Sequence, residues 1–253
     1  MDLERTVDDK IPVYVISTNK YKIEELKTFF DICTNIELKS LEDLHVEIPE
    51  IDEPFTMFEG NARHKTFVGL RAIEKLTGKR VNVIADDSGL TVDALLMYPG
   101  VITKRFLPNS VKELIKDLSP EEAANVRRDV LLWFMSMYGH INPSSKTRGR
   151  YAHYDSVIHM SIPLSNNDVH NSTAKGRLTG NIVKHLDDCR GNNGFTFDQM
   201  FIPTGMDKTL AELSVIEKLR ISHRGKALMN LMEKLTTQNP KLGFEYYPEK
   251  LFQ

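Results

Sequence analysis

The sequence predicts an α/β protein built on one mixed, curved central sheet, with room for a cleft between two lobes. Three observations predict it. A short apolar run passes directly into a helical pattern near the N-terminus. A long helical pattern over residues 57–77 leads into a second apolar run. Several strand signals between residues 151 and 202 are followed by a closing helix. Strands alternating with helices stack into layers around a sheet.

The elements follow in order. Residues 1–10 are charged, lack apolar periodicity and read as a loose leader. Pro12, Val13, Tyr14, Val15 and Ile16 form the continuous apolar run of a buried strand. Over residues 19–30, Ile23, Leu26 and Phe30 fall at helical spacing. Thr56 precedes Glu59 by three residues, a capping-box pattern, and predicts a helix over 57–77 with Gly78 as its stop. Residues 81–85 read as a buried strand that ends at Asp86 and Asp87, with a turn at Gly89. Ser119 to Glu122 repeats the capping box, with Pro120 at the first helical position. The helix behind it sets Val126, Val130 and Phe134 on one side. Residues 151–162 read as a long strand and 165–172 as a polar, turn-rich loop, and strand signals recur at 178–183 and 199–202. The last helix starts at Ser222 and carries Leu228, Leu231, Met232 and Leu235 as its apolar stripe. Residues 237–253 contain Pro and aromatics and look like an appended tail. The expected organisation is a leader (1–10), one domain (11–236) and a tail (237–253).

Composition excludes several classes. The chain has 253 residues, 33 Lys+Arg against 35 Asp+Glu, a net charge of −2 and 41% hydrophobic residues. That balance argues against a disordered charged tail and against a strongly basic nucleic-acid binder. No apolar run approaches the ~20 residues of a membrane helix. The two cysteines, Cys33 and Cys189, lie far apart without metal-ligand spacing, so neither a disulfide scaffold nor a structural zinc site is expected. A soluble intracellular protein is the expectation, with no membrane partner and no stable nucleic-acid binding.

Five islands look chemical, although each also fits an ordinary structural role. Ser17, Thr18, Asn19 and Lys22 lie at the first strand–helix turn, where helix N–H groups can hold an anion. Asp52 and Glu53 precede the second helix, on which Asn61 and Lys65 share a face; the carboxylates could equally be solvated charges at a helix start. Asp86, Asp87 and Ser88 follow a buried strand, where open α/β sheets place ligands and where two carboxylates could hold Mg²⁺; an Asx turn is the other reading. Phe195, Thr196, Phe197 and Asp198 follow Gly194, and the aromatics could stack on a base or simply anchor a loop. Lys218 precedes Ser222, a natural N-cap, with His223 and Arg224 in the first turn, where cations oppose the helix dipole and hint at a bound anion or a polar ligand.

Together the stretches STNKYKIEEL, FEGNARHK, IADDSGLTVDAL with PGV, GFTFDQMF and EKLRISHRGKAL resemble the inosine triphosphate pyrophosphatases, which act on non-standard purine nucleoside triphosphates. They occur in that family's order and cover residues 11–236. The resemblance implies an elongated two-lobed α/β fold with a deep cleft, a homodimer in the cytoplasm, and Mg²⁺-dependent hydrolysis, with Mn²⁺ as a substitute ion. ITP, dITP or XTP would give the monophosphate and pyrophosphate. It implies that Ser17, Thr18, Asn19 and Lys22 bind the triphosphate, that Glu53 and Asp87 hold the metal, and that Lys65 binds phosphate, with Glu50 a weaker substitute for Glu53. Asp87 would accept the proton, with Asp86, Lys22 and Lys65 completing the catalytic set. Asn61, Ser88, Lys104 and Arg105 would lie near the substrate. Phe195, Thr196, Phe197 and Asp198 would form the loop that stacks on the base, and Lys218, His223 and Arg224 would read the purine edge.

The chain departs from the family pattern at Thr18 and Thr196, each in place of Gly, and at Gln199, in place of Pro. The stretch between Arg128 and Asn193 is long and includes the basic residues Lys146, Arg148 and Arg150. Two alternatives stay open: a pyrophosphatase of altered preference for dUTP, dTTP or modified pyrimidines, and a non-catalytic nucleotide- or RNA-binding module. Domains of this family also occur in plant RNA virus polyproteins cut after Gln, and the chain ends at Gln253. A viral origin, with a host-cytoplasmic setting, is therefore an alternative to a cellular one.

Overall fold

The structure is a computed structural model that describes residues 10–141, 149–164 and 168–253. Most of the expected leader, Lys146, Arg148 and residues 165–167 lie outside these. The strands are β1 (Ile11–Val15), β2 (Ile36–Lys39), β3 (Asn82–Val92), β4 (Tyr98–Pro99), β5 (Tyr151–Pro163), β6 (Val169–Ile182) and β7 (Phe201–Pro203). The helices are α1 (Lys20–Cys33), α2 (Phe58–Thr77), α3 (Asn109–Leu114), α4 (Pro120–Ile141), α5 (Val215–Ile221) and α6 (His223–Gln238). The fold is α/β with a mixed sheet, hydrogen-bonded in the order β2-β1-β3-β5-β6-β7 with β4 paired to β3. β1 runs parallel to β2 and β3, with Ile11 opposite Ile36 and Val15 opposite Ile84. Parallel strands covered on both faces read as continuous apolar runs, which is why β1 and the start of β3 stand out in the sequence.

The chain divides into two compact units. The first comprises residues 1–87, 156–176 and 219–253. In it Leu70 and Ile73 of α2 pack on Ile16, Val83 and Ala85. Residues beyond α6 fold back on α1: the Tyr247 amide donates to the Cys33 carbonyl at 2.7 Å, Thr34 bridges Tyr246, and Phe244 and Leu251 are buried. The second unit comprises residues 88–155 and 177–218. Its β6 and β7 pair antiparallel, with Ile182 opposite Phe201. Phe106 stands between Tyr98 and Phe197 at centroid distances of 6.2 and 5.5 Å.

Several expectations need correction. α2 begins at Phe58 with Met57 as N-cap and no side-chain cap; Glu59 instead pairs with Lys175 at 2.7 Å. Gly78 does close α2 with φ 70°. β3 does not end before Asp86 but continues to Val92, so the expected turn at Gly89 is extended strand. The fully buried face of α4 carries Ala123, Arg128, Leu131 and Met135, while Val126, Val130 and Phe134 are half-buried at its flank. The polar loop is shorter than expected, because β6 already starts at Val169. The Ser119–Glu122 capping box and the Ser222 cap are as expected.

Candidate active site

Five segments of the first unit bring charged side chains together, and the β1–α1 turn is the first. The Asn19 side chain caps α1, accepting from the amides of Tyr21 and Lys22 at 3.1 and 3.3 Å, and Ser17 Oγ accepts from the Asn19 amide at 3.2 Å. Those first-turn amides are therefore occupied by the chain's own cap, and what the turn delivers is Lys22. Its ammonium lies 2.6 Å from Asp86 Oδ2. Thr18 is exposed at the turn.

β3 supplies both carboxylates. Successive strand residues point to opposite faces, so Asp86 and Asp87 do not form a two-carboxylate clamp on one face, as a turn would have allowed. Asp86 meets Lys22, Arg224 Nη2 (3.4 Å) and the hydroxyl of Ser156, which donates to Oδ1. Burial alone would raise its carboxyl, but the charges of Lys22 and Arg224 and the bonds from Lys22 and Ser156 hold it well below the usual carboxylate range. Asp87 meets Lys65 at 3.1 Å and accepts from Asn61 Nδ2 at 3.0 Å. Burial pushes the Asp87 carboxyl above its ordinary value, and Lys65 and Lys22 oppose this without cancelling it.

Asn61 and Lys65 share the face of α2 that their spacing predicts. Lys65 also meets Glu53 at 2.5 Å, so the Glu53 and Asp87 carboxylates converge on one cationic centre. Such an oxygen donor set suits a hard divalent cation. Among the described residues no cluster of three or more His, Cys, Asp and Glu side chains could hold a metal. Glu50 is exposed.

α6 begins at His223 and Arg224, both buried. The opposition to the helix dipole is resolved inside the protein: Arg224 bonds the buried Glu25 of α1 and reaches Asp86. Glu25 and Ser156 were not singled out in the sequence. Glu25 shares a helix face with Lys22 three residues earlier, a signal that was available; Ser156 carries none.

The second unit holds the remaining candidates, each within its own frame. Asp198 Oδ2 accepts from the Phe195 amide at 3.0 Å and from Lys218 Nζ at 2.9 Å, and Lys218 also donates to the Asn193 carbonyl at 2.9 Å. The Thr196 carbonyl accepts from Arg128 at 3.0 Å. Phe197 is a core residue against Phe106, and Phe195 is half-buried. Ser88 is half-buried, and Lys104 and Arg105 are exposed at the end of a 3-10 segment, Gly100–Arg105.

Comparison with known proteins bears on this arrangement. The description of the Ham1 family matches residues 13–234. A dITP/XTP pyrophosphatase of Chlorobaculum tepidum is 33% identical over 244 residues, 93% of this chain and 97% of its own. One from Nautilia profundicola is 35% identical over 221 residues, 85% and 93% of the two chains. Among solved structures, the Ham1 protein of Staphylococcus aureus matches with a TM-score of 0.63 at 30% identity, covering 90% of this chain and 100% of that one.

Proposed function

The chain belongs to the Ham1 family, and from that premise we propose that it hydrolyses the non-standard purine nucleotides dITP, ITP and XTP to the monophosphate and pyrophosphate. The observation that carries this reading is the cluster of Glu53, Asn61, Lys65 and Asp87 beside the Lys22–Asp86 pair. Three cations (Lys22, Lys65, Arg224) there face four carboxylates (Glu25, Glu53, Asp86, Asp87). A triphosphate carries about four negative charges, and phosphoryl chemistry depends on positioning and electrostatics, so this cluster calls for an added cation.

Magnesium, with manganese as a substitute, is the proposed ion, and Glu53 and Asp87 the residues that would hold it. Bound there, it would supply positive charge against the phosphates. Lys22 and Lys65 carry the rest of that load. Asp87 accepts the proton of the water that attacks the α-phosphorus, and pyrophosphate leaves. Its buried position beside Asn61 and Lys65 places its carboxylate for that task. Asp86 holds Lys22 and Arg224 in place and keeps its charge. Hypoxanthine and xanthine present O6 as an acceptor where adenine presents a donor, so a donor such as His223 favours them. The homodimer and the cytoplasmic setting belong to the same proposal. No helix of the described residues is long and apolar enough to cross a membrane.

The test is pyrophosphate release across dITP, XTP, dUTP and the four standard nucleotides, with and without Mg²⁺. Release from dITP and XTP well above that from ATP and GTP is expected. Equal turnover of all substrates, or none at any Mg²⁺ level, rejects the reading.

A further inference from the structure

We propose that the first unit carries a second ligand site, apart from the carboxylate–lysine cluster, for a phosphate-bearing aromatic ligand of the nucleotide class. A cavity of about 710 Å³ opens along α2, lined by residues other than Asn61 and Lys65. That volume lies within the ~300–1,000 Å³ of small-molecule sites.

Arg63, Phe67 and Arg71 recur along it every fourth residue. On a helix, eight residues span about 12 Å, so Arg63 and Arg71 flank the exposed Phe67 along one face, and the Arg71 guanidinium lies over the Phe67 ring at 4.5 Å from the centroid. Arg63 and Arg71 are exposed and make no ion pair among the described residues. The third arginine, Arg80, is held by Glu74 at 3.6 Å and by the carbonyls of Leu164 and Asp168, both at 3.3 Å. Glu74 is the one acidic side chain in the lining, against three arginines. Across the cavity, Phe55 meets His64 edge-on at 5.7 Å. Guanidinium forks match phosphate oxygens, and exposed rings stack on bases; here the two chemistries share one cavity.

The cavity wall is also wired to the cluster around Asp87. The Phe55 ring rests on Gly60, where an added Cβ would lie 2.7 Å from it. Its backbone is clasped by Asn61, which accepts from the Phe55 amide at 2.9 Å, donates to its carbonyl at 3.2 Å, and donates to Asp87 at 3.0 Å. A ligand that presses on Phe55 thus acts one side chain away from Asp87.

The experiment is calorimetric titration of the full chain with inosine monophosphate, for the wild type and for R63E/R71E, with R63Q/R71Q as a milder variant. Both arginines are exposed, and melting curves check folding. The wild type is expected to bind one more equivalent per chain than either variant, whatever number the Asp87 cluster contributes, so failure of the pyrophosphatase reading leaves this comparison intact. Equal stoichiometry in wild type and variants overturns the site. Ribose 5-phosphate, which lacks the base, is expected to fill that site about ten-fold more weakly; equal affinity overturns the part assigned to the rings.

Discussion

At the residue scale, the charged cluster of the first unit depends on pairing rather than on any single group. Buried charges persist only when paired and hydrogen-bonded. Arg224 is the sharpest case: it is 1% exposed and serves both Glu25 and Asp86. Its replacement by Met fills the volume but leaves Glu25 buried without its partner. The expected loss is about 3–5 kcal/mol, read as a lowered urea midpoint; an unchanged midpoint would show that Glu25 finds water or another donor. Asp87→Asn is expected to behave oppositely. It keeps the shape and the Asn61 contact, removes the proton acceptor, and should lower dITP turnover by roughly 10²–10⁴-fold while the protein melts as a folded chain. Wild-type turnover in that variant would remove Asp87 from the mechanism.

At the scale of elements, close approach matters as much as pattern. β6 passes α6 at Gly176, where an added Cβ would stand 2.1 Å from the His223 carbonyl and 2.5 Å from the Ala227 amide. The obstructing atoms are backbone and cannot swing aside, so Gly176→Ala must shift the start of α6, where Arg224 sits. The expected destabilisation is about 3 kcal/mol, with a parallel fall in activity; an alanine variant as stable and active as wild type would contradict the packing. α5 shows what pattern reading can overlook. Ser214 and Glu217 form a reciprocal capping box, amide to carboxylate at 2.8 Å and amide to hydroxyl at 3.3 Å. That spacing was in the sequence at α5, as it was at Ser119–Glu122. At Thr56–Glu59 the same spacing misled, because Lys175, distant in sequence, takes Glu59.

At the scale of the whole molecule, stability should depend on pH through His159. This ring on β5 is buried, and burial pushes it down to about 4, with Asn171 opposing. Its Nδ1 lies 2.7 Å from Thr173 Oγ1 and its Nε2 3.2 Å from Asn171 Oδ1, which fits a neutral ring that donates from Nε2. The folded state binds the proton less readily than the unfolded chain, whose histidine titrates near ~6.5. The contribution is therefore complete above that pH and is lost as pH falls towards 4. Between pH 7 and pH 5 the loss from this group is about 2 kcal/mol. Urea unfolding at the two pH values, compared with His159→Gln, checks it: the variant should show a correspondingly smaller drop, and an identical drop would assign the effect elsewhere.

Apolar runs, helix caps and the order of five polar islands are local properties, legible in the residues and their spacing. They suffice for an α/β fold, for β1, β5 and α6 near their observed limits, and for Lys22, Asn61, Lys65 and Asp87 as candidate partners. Which charges neutralise which depends on long-range packing. Asp86 and Asp87 are adjacent in sequence, yet strand pleating sends one to Lys22, Arg224 and Ser156 and the other to Lys65 and Asn61. Phe195 and Phe197 share a motif, yet Phe197 is spent on the core. Glu25 and Ser156 join the cluster with little or no local signal, because burial makes a partner obligatory without saying where in the chain it lies.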